Sequence, residues 1–174
     1  MKKIVIHLIG HSCAGKSTIQ GKLEEKIKNV YSLCYDKTKR QLPDYNRDIH
    51  KPLIKNLMQG FFETICKNKL SIILINPIKN KKEYDYYKKI AKNFGYSFYS
   101  FQINSPKEVL LSRFRDRIKS VKAENKKISV MDEKLFLENL DKKYYTPDDT
   151  ESFDSSCLSP EEIVKKILNI LNKK

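Results

Sequence analysis

Residues Gly10-His-Ser-Cys-Ala-Gly-Lys16-Ser17 fit the pattern G-x-x-x-x-G-K-[ST]. The chemistry such a run serves is polyphosphate binding. Gly10 and Gly15 let the backbone wrap closely round the anion with its N–H groups pointing inward. A helix starting near Lys16 adds its positive end to the same place. Lys16 is expected to reach the β- and γ-phosphates, and the Ser17 hydroxyl to hold Mg²⁺. The nucleotide contacts expected are therefore Gly10, His11, Ser12, Cys13, Ala14, Gly15, Lys16, Ser17 and Thr18. The pattern implies binding of a nucleoside triphosphate.

Two further groups could turn binding into phosphoryl transfer. Asp36 follows an apolar run, where a carboxylate facing the phosphate loop can accept the proton of an attacking hydroxyl and help position Mg²⁺. The same residue type also suits a turn after a strand. Arg113 and Arg117 are four apart, so both lie on one helix face, while Arg115 points elsewhere. Arginine stays charged and forks onto phosphate oxygens, so this pair could offset transition-state charge. A solvated basic face would carry the same residues. The polar stretch after Arg117 suits a lid that excludes water, with approximate limits 113–131, or a plain surface loop.

Positioning these groups requires a set of alternating elements. Lys3 to Ile9 reads as a short buried strand and Ser17 to Lys28 as a helix. Val30 to Tyr35 reads as a second strand ending at Asp36. Asn46 to Asn68 reads as a long helix with Ile49, Leu53, Leu57, Phe61 and Ile65 on one face. Leu70 to Ile75 has the continuous apolar character of a strand covered on both sides. Lys81 to Phe94 is helical and stops at Gly95. Tyr96 to Ile103 makes a fourth strand. Ser105 and Pro106 open a helix to about Val121, and Asp132 to Tyr145 is expected to be helical. Glu151 to Asp154 is a short last strand, and Ser159-Pro-Glu-Glu162 is a capping box for the final helix. Strands and helices in alternation predict an α/β three-layer αβα sandwich, one domain over residues 1–174, with ligands at the carboxyl edge of the sheet. The phosphate loop, Asp36 and Asn76 all fall on that edge.

Composition bounds the class without naming a partner. The 174-residue chain is long enough for a core, and its hydrophobic content of 40% suits a globular fold. The N-terminal apolar run is too short for a signal peptide and leads directly into the phosphate loop. No segment approaches a membrane span, so no membrane partner is expected. Cys13, Cys34, Cys66 and Cys157 show no metal spacing, and a reduced cytoplasmic protein follows. Cys13 in the loop reads as a tolerated small residue before it reads as a redox sensor. The net charge of +14 rests on 35 basic residues of which five are arginines. With abundant Ile, Asn and Tyr, that profile matches AT-rich coding and supports polyanion binding only weakly.

With the phosphate loop, the strand-terminal Asp36, the lid arginines and the Phe153-Asp154-Ser155-Ser156…Ser159-Pro-Glu-Glu tail in hand, the chain resembles the small P-loop kinases. It is most similar to the group holding polynucleotide 5′-hydroxyl kinases, zeta toxins and chloramphenicol phosphotransferase. The resemblance implies a five-stranded parallel sheet of order 2-3-1-4-5, ATP as donor and Mg²⁺ as cofactor. It also implies Lys16 and Ser17 as phosphate and Mg²⁺ contacts, Asp36 as general base, and Arg117 as the lid arginine bridging donor and acceptor. Lys39 or Arg40 stands where that group often has an acceptor-binding arginine. Asp154 and Ser155, with the residues to Cys157, fall where its members place the adenine. Many relatives carry an aspartate at the end of the third strand, where this chain has Asn76, which cannot supply charge to a metal.

The expected function is an ATP-dependent phosphotransferase with a hydroxyl acceptor on a small molecule, a nucleotide or a nucleic-acid end. Lys39, Arg40, Arg47 and Asn76 are the acceptor-binding candidates. The alternative is a nucleotide-binding protein with little or no kinase activity, which Asn76 keeps open. A GTPase switch is disfavoured, since the chain has neither Asn-Lys-x-Asp nor a post-strand Asp-x-x-Gly.

Overall fold

Every residue of β1 (Ile4–Ile9) is buried, because the strand runs down the middle of a sheet covered on both faces. The computed structural model describes residues 3–123 and 132–173. After β1 come α1 (Lys16–Lys26), β2 (Val30–Cys34), α2 (Tyr35–Arg40), α3 (Arg47–Lys67), β3 (Ser71–Ile75), α4 (Lys81–Asn93) and β4 (Ser97–Asn104). The chain continues through α5 (Lys107–Ala123), α6 (Glu133–Leu140), β5 (Glu151–Asp154) and α7 (Pro160–Lys173). The five strands form one sheet in the order β2-β3-β1-β4-β5, every neighbour parallel. That is the expected order.

Side chains alternate across β1 and divide the core in two. Ile4, Ile6 and Leu8 pack with residues of α1, α5, α6 and α7, including Leu23, Phe114, Phe136 and Ile167. Val5 joins Ile72 and Leu74 of β3 against α3 and α4, with Met58, Phe62 and Tyr87. Local signals end several elements as expected. Gly95 takes a φ of 74° just past α4, and the Tyr96 amide reaches back to Ala91 O at 2.9 Å. Ser159 and Glu162 form the reciprocal capping box: the Ser159 amide donates to Glu162 Oε2 at 2.8 Å, and the Glu162 amide to Ser159 Oγ at 3.3 Å.

Three expectations need correction. Strand β2 stops at Cys34, so Asp36 lies in the first turn of α2, a helix the sequence reading did not anticipate. On α3 the expected stripe is not the core face. Ile49, Leu53, Leu57 and Phe61 are 68%, 46%, 38% and 40% exposed, while Ile54, Met58, Phe62, Ile65 and Cys66 are buried. The cause is helical phase: each step of four residues drifts about 40° round the axis, so the row from Ile49 to Ile65 winds from solvent into the core. Helix α6 ends at Leu140 and not Tyr145, because the next residues are drawn across the sheet edge. Residues 124–131, much of the expected lid, lie outside the described residues. At its base, Phe114 stacks on Phe136 with centroids 4.2 Å apart, and Arg115 grips Glu133 through two bonds of 2.9 and 2.7 Å.

The two adjacent phenylalanines of α3 separate these readings. Phe62→Ala is expected to lower stability by about 3–5 kcal/mol, and Phe61→Ala by about 0.5 kcal/mol or less. Urea unfolding midpoints of the two variants check this.

Candidate active site

The phosphate loop leaves β1 at Gly10, whose φ is 146°. A Cβ there would lie 2.2 Å from the carbonyl oxygen of Ile103 on β4, so only glycine fits. Cys13 (φ 66°) and Gly15 (φ 91°) complete the curl in the left-handed region. Helix α1 begins without a side-chain cap or an acidic residue in its first turn, so its positive end is unopposed at the loop. The Ser17 and Thr18 side chains lie at an exposed helix start. This is a cradle for an oligophosphate, and its residues fit one.

Lys16 is turned into the loop, where Nζ donates to Gly10 O at 2.8 Å and His11 O at 2.7 Å. Burial lowers its pKa to about 8; the Asp36 carboxylate favours the ammonium and Arg117 opposes it. Asp36 and Arg117 thus both act on Lys16 from either side, and Arg117 is exposed.

Arg113 has a different position from the one expected. Its guanidinium donates to Ser155 O at 2.6 Å, Ser155 Oγ at 3.0 Å, Ser105 Oγ at 3.3 Å and Cys13 O at 3.4 Å. Ser155 Oγ in turn donates to Ala14 O at 2.9 Å. Arg113 and Ser155 therefore fasten the outer side of the phosphate loop to the β5–α7 turn. Asp154 shapes that turn by accepting from the Ser156 amide and hydroxyl at 2.7 and 2.6 Å.

On the β3 side, Asp36 Oδ1 accepts from Lys39 Nζ at 3.2 Å, and the same ammonium lies 5.4 Å from the Tyr45 ring centroid. Arg40 is exposed in the last turn of α2. Arg47 opens α3, which Asn46 caps through Asp48 N at 2.9 Å. Burial, then Tyr45 and Asp36, push the Tyr35 phenol up while Arg47 pulls it down, which sets Arg47 near the α2 start. Asn76 is buried, and its amide donates to Tyr87 Oη at 3.0 Å, so that donor is used in the core. His7 beneath it is buried with a pKa lowered to about 4 by desolvation, a neutral core histidine.

The sequence reading missed a strap. Residues 141–146 cross the sheet edge after α6, pinned by the Tyr145 amide on Ile78 O at 3.1 Å and by Tyr145 against Tyr84 at 5.4 Å. Tyr144 lies on the His11 ring, centroids 5.2 Å apart, and its phenol is raised by burial and by Asp36. Pro147 was an available signal, since a residue before proline is biased away from the helix. Among the described residues no group of three or more His, Cys, Asp or Glu could hold a metal. Mg²⁺ commonly keeps several waters and takes phosphate oxygens, so a phosphate-bound ion needs no such cluster.

A sequence profile described as an AAA domain matches residues 5–139, a span that holds the phosphate loop, Asp36 and the α5 arginines. The chain belongs to the AAA-domain family. No curated protein matches it significantly in sequence. Solved structures with a similar fold include a Chloroflexus aurantiacus protein at 13% identity and TM-score 0.74, covering 97% of this chain and 98% of that one. The Mycobacterium tuberculosis APS kinase CysC, solved with AMPPNP and APS, is 14% identical with TM-score 0.65 and 98% coverage of each chain. A gluconokinase from Sinorhizobium meliloti is 16% identical with TM-score 0.64, covering 98% of this chain and 92% of that one. The fold of this AAA-domain protein is thus one it shares with small kinases. Among the described residues no helix is long and apolar enough to cross a membrane.

The lowered Lys16 pKa has a measurable consequence. Polyphosphate binds the charged ammonium, so affinity is full below pH about 8 and falls as pH rises through that value. AMPPNP titrations from pH 7 to 9.5 are expected to show this decline. Lys16→Ala should bind at least about tenfold more weakly with little slope over the same range.

Proposed function

We propose that this protein is an ATP-dependent phosphotransferase whose acceptor is a hydroxyl on a small molecule. The observation that carries the reading is Lys16 held inside the glycine loop at an uncapped helix start, with Asp36 and Arg117 both acting on its ammonium. The kinase-type neighbours support it, among them a kinase solved with an ATP analogue.

The chain's groups divide the work. Loop amides and Lys16 hold the β- and γ-phosphates, and their charge is directed at oxygens that gain charge in a loose transition state. Mg²⁺, held by Ser17 and Asp36, supplies neutralisation of phosphate charge when bound. Asp36 takes the proton as the acceptor oxygen forms its bond to the γ-phosphorus. The bond from that phosphorus to the β,γ-bridging oxygen breaks, and ADP leaves with the electron pair. Arg117 faces the γ-phosphate from α5, while Arg113 and Ser155 keep the loop in register from outside. Lys39, Arg40 and Arg47 flank the acceptor approach, whereas the Asn76 amide is directed into the core. Asp154 and Ser155 border the side where the adenine would lie.

Incubation with γ-labelled ATP, Mg²⁺ and a library of sugars, hydroxy acids, nucleosides and nucleotides tests this. Wild type is expected to label an acceptor. Asp36→Asn should lose about 100-fold or more in kcat with ATP affinity retained, and Lys16→Ala should lose both. No label on any compound, or an Asp36→Asn variant as active as wild type, would sink the proposal.

A further inference from the structure

Beside Arg47, the acceptor approach holds further positive charge that the transfer mechanism does not use. Lys79, on the loop after β3, has its ammonium destabilised first by partial burial and then by Lys51, Arg47 and Lys142. These four cations come from three segments: the start of α3, the β3–α4 loop and the strap. Like charges brought together from separate elements oppose folding unless a ligand answers them. Of the acids around them, Asp48 follows Arg47 on α3, while Glu83, Asp36 and Asp141 are already engaged. Glu83 faces Lys79 but lies 3.7 Å from Lys55 Nζ and accepts the Lys79 amide at 3.3 Å. Asp36 pairs with Lys39, and Asp141 lies 3.9 Å from Lys107.

Lys142 links this cluster to a cavity of about 300 Å³ between the phosphate loop and the strap. It is lined by Gly10 and His11 of the loop, by Gln102 of β4 and by the strap, where Asp141 stands beside Lys142 and Lys143. His11 Nδ1 is out of solvent and has no hydrogen-bond partner in the protein. Burial and Lys16 lower the His11 pKa, against the Asn139 backbone and Asp141, so the ring is neutral near pH 7. A buried polar atom left without a partner is costly; with the ring's one N–H turned to the Asn139 backbone, Nδ1 is an acceptor that a ligand's hydroxyl would satisfy. The volume is that of a small ligand pocket and suits a molecule of sugar or mononucleotide size.

From these observations we infer that the acceptor is a small anionic hydroxy compound, its phosphate or carboxylate bound by Arg47, Lys51, Lys79 and Lys142 beside the His11 cavity. This deepens the phosphotransferase reading and rests on it for the word acceptor, but the anion site itself does not depend on turnover. The charged group lies on the β3–strap side of the loop, which leaves a hydroxyl of the same molecule to face Asp36. Lys142 also donates to Asn139 Oδ1.

The test measures binding to protein saturated with AMPPNP and Mg²⁺, so that the phosphate loop is already filled. Matched probes are ribose 5-phosphate against ribose, gluconate against glucose, and AMP against adenosine, by isothermal titration. At least one charged member should bind tenfold or more tightly than its neutral partner. The phosphate and carboxylate arms tell which anion is read. Lys79→Ala/Lys142→Ala should lose that preference by tenfold or more, while Lys142→Arg keeps most of it and shows that charge is the cause. Equal binding of charged and neutral members, or a preference that survives the double variant, overturns the inference. So does a 5′-hydroxyl oligonucleotide that outbinds every small probe and depends on the same lysines. Charge-selective binding with no phosphoryl transfer to any bound probe would instead count against the phosphotransferase reading and leave the anion site standing. Transfer to neutral acceptors alone would do the reverse.

Discussion

The backbone of Gly10 passes so close to the Ile103 carbonyl that no side chain fits between them. That contact fixes where the chain leaves the central strand, and the geometry of the site follows from it. The loop must curl outward over the carboxyl edge, through the left-handed residues Cys13 and Gly15, before α1 can start. A second fastening, Arg113 and Ser155 on the carbonyls of Cys13 and Ala14, holds the curl from the β5 side. Between the two, Lys16 has only the inside of the loop to occupy, and desolvation there brings its pKa down to about 8. An ammonium held at that cost is suited to an incoming polyanion and to little else.

The parts legible in the sequence were those set by local chemistry. The phosphate loop, the glycine stop after α4 and the capping box before α7 each depend on residues within a few positions of one another. Strand–helix alternation implied the layers, and the strand order was what the resemblance to small P-loop kinases implied. Phase and long-range pairing were harder. The i, i+4 row on α3 looked like a core face, yet only Ile65 of that row is buried, because successive steps precess round the helix. Arg113 reads as a phosphate ligand from its spacing to Arg117, but its bonds run to Ser155, a residue 42 positions away. The strap was read as helix since Tyr144 and Tyr145 suit an amphipathic turn; their contacts with His11 and Tyr84 are tertiary and override that preference.

The α3 row and the strap both border the sheet edge beyond Asp36. Donor binding is built on one continuous segment, β1 to α1, and a motif can describe it. The acceptor side is assembled from α2, the start of α3, the β3–α4 loop and the strap, elements brought together only by the fold. The strap also lies beyond the stretch that matches the AAA-domain profile, which ends at residue 139. In α/β proteins such edge loops carry specificity while the sheet stays constant.

The central claim is that this edge moves a phosphoryl group from ATP to a hydroxyl. Phosphorus NMR of the wild-type protein with ATP, Mg²⁺ and a mixture of small hydroxylated metabolites follows every phosphorus atom at once. The account predicts that the γ-phosphate resonance declines while ADP and a new phosphomonoester signal rise in equal amounts. A spectrum in which ATP stays intact, or yields only ADP and inorganic phosphate whatever the mixture contains, would contradict it.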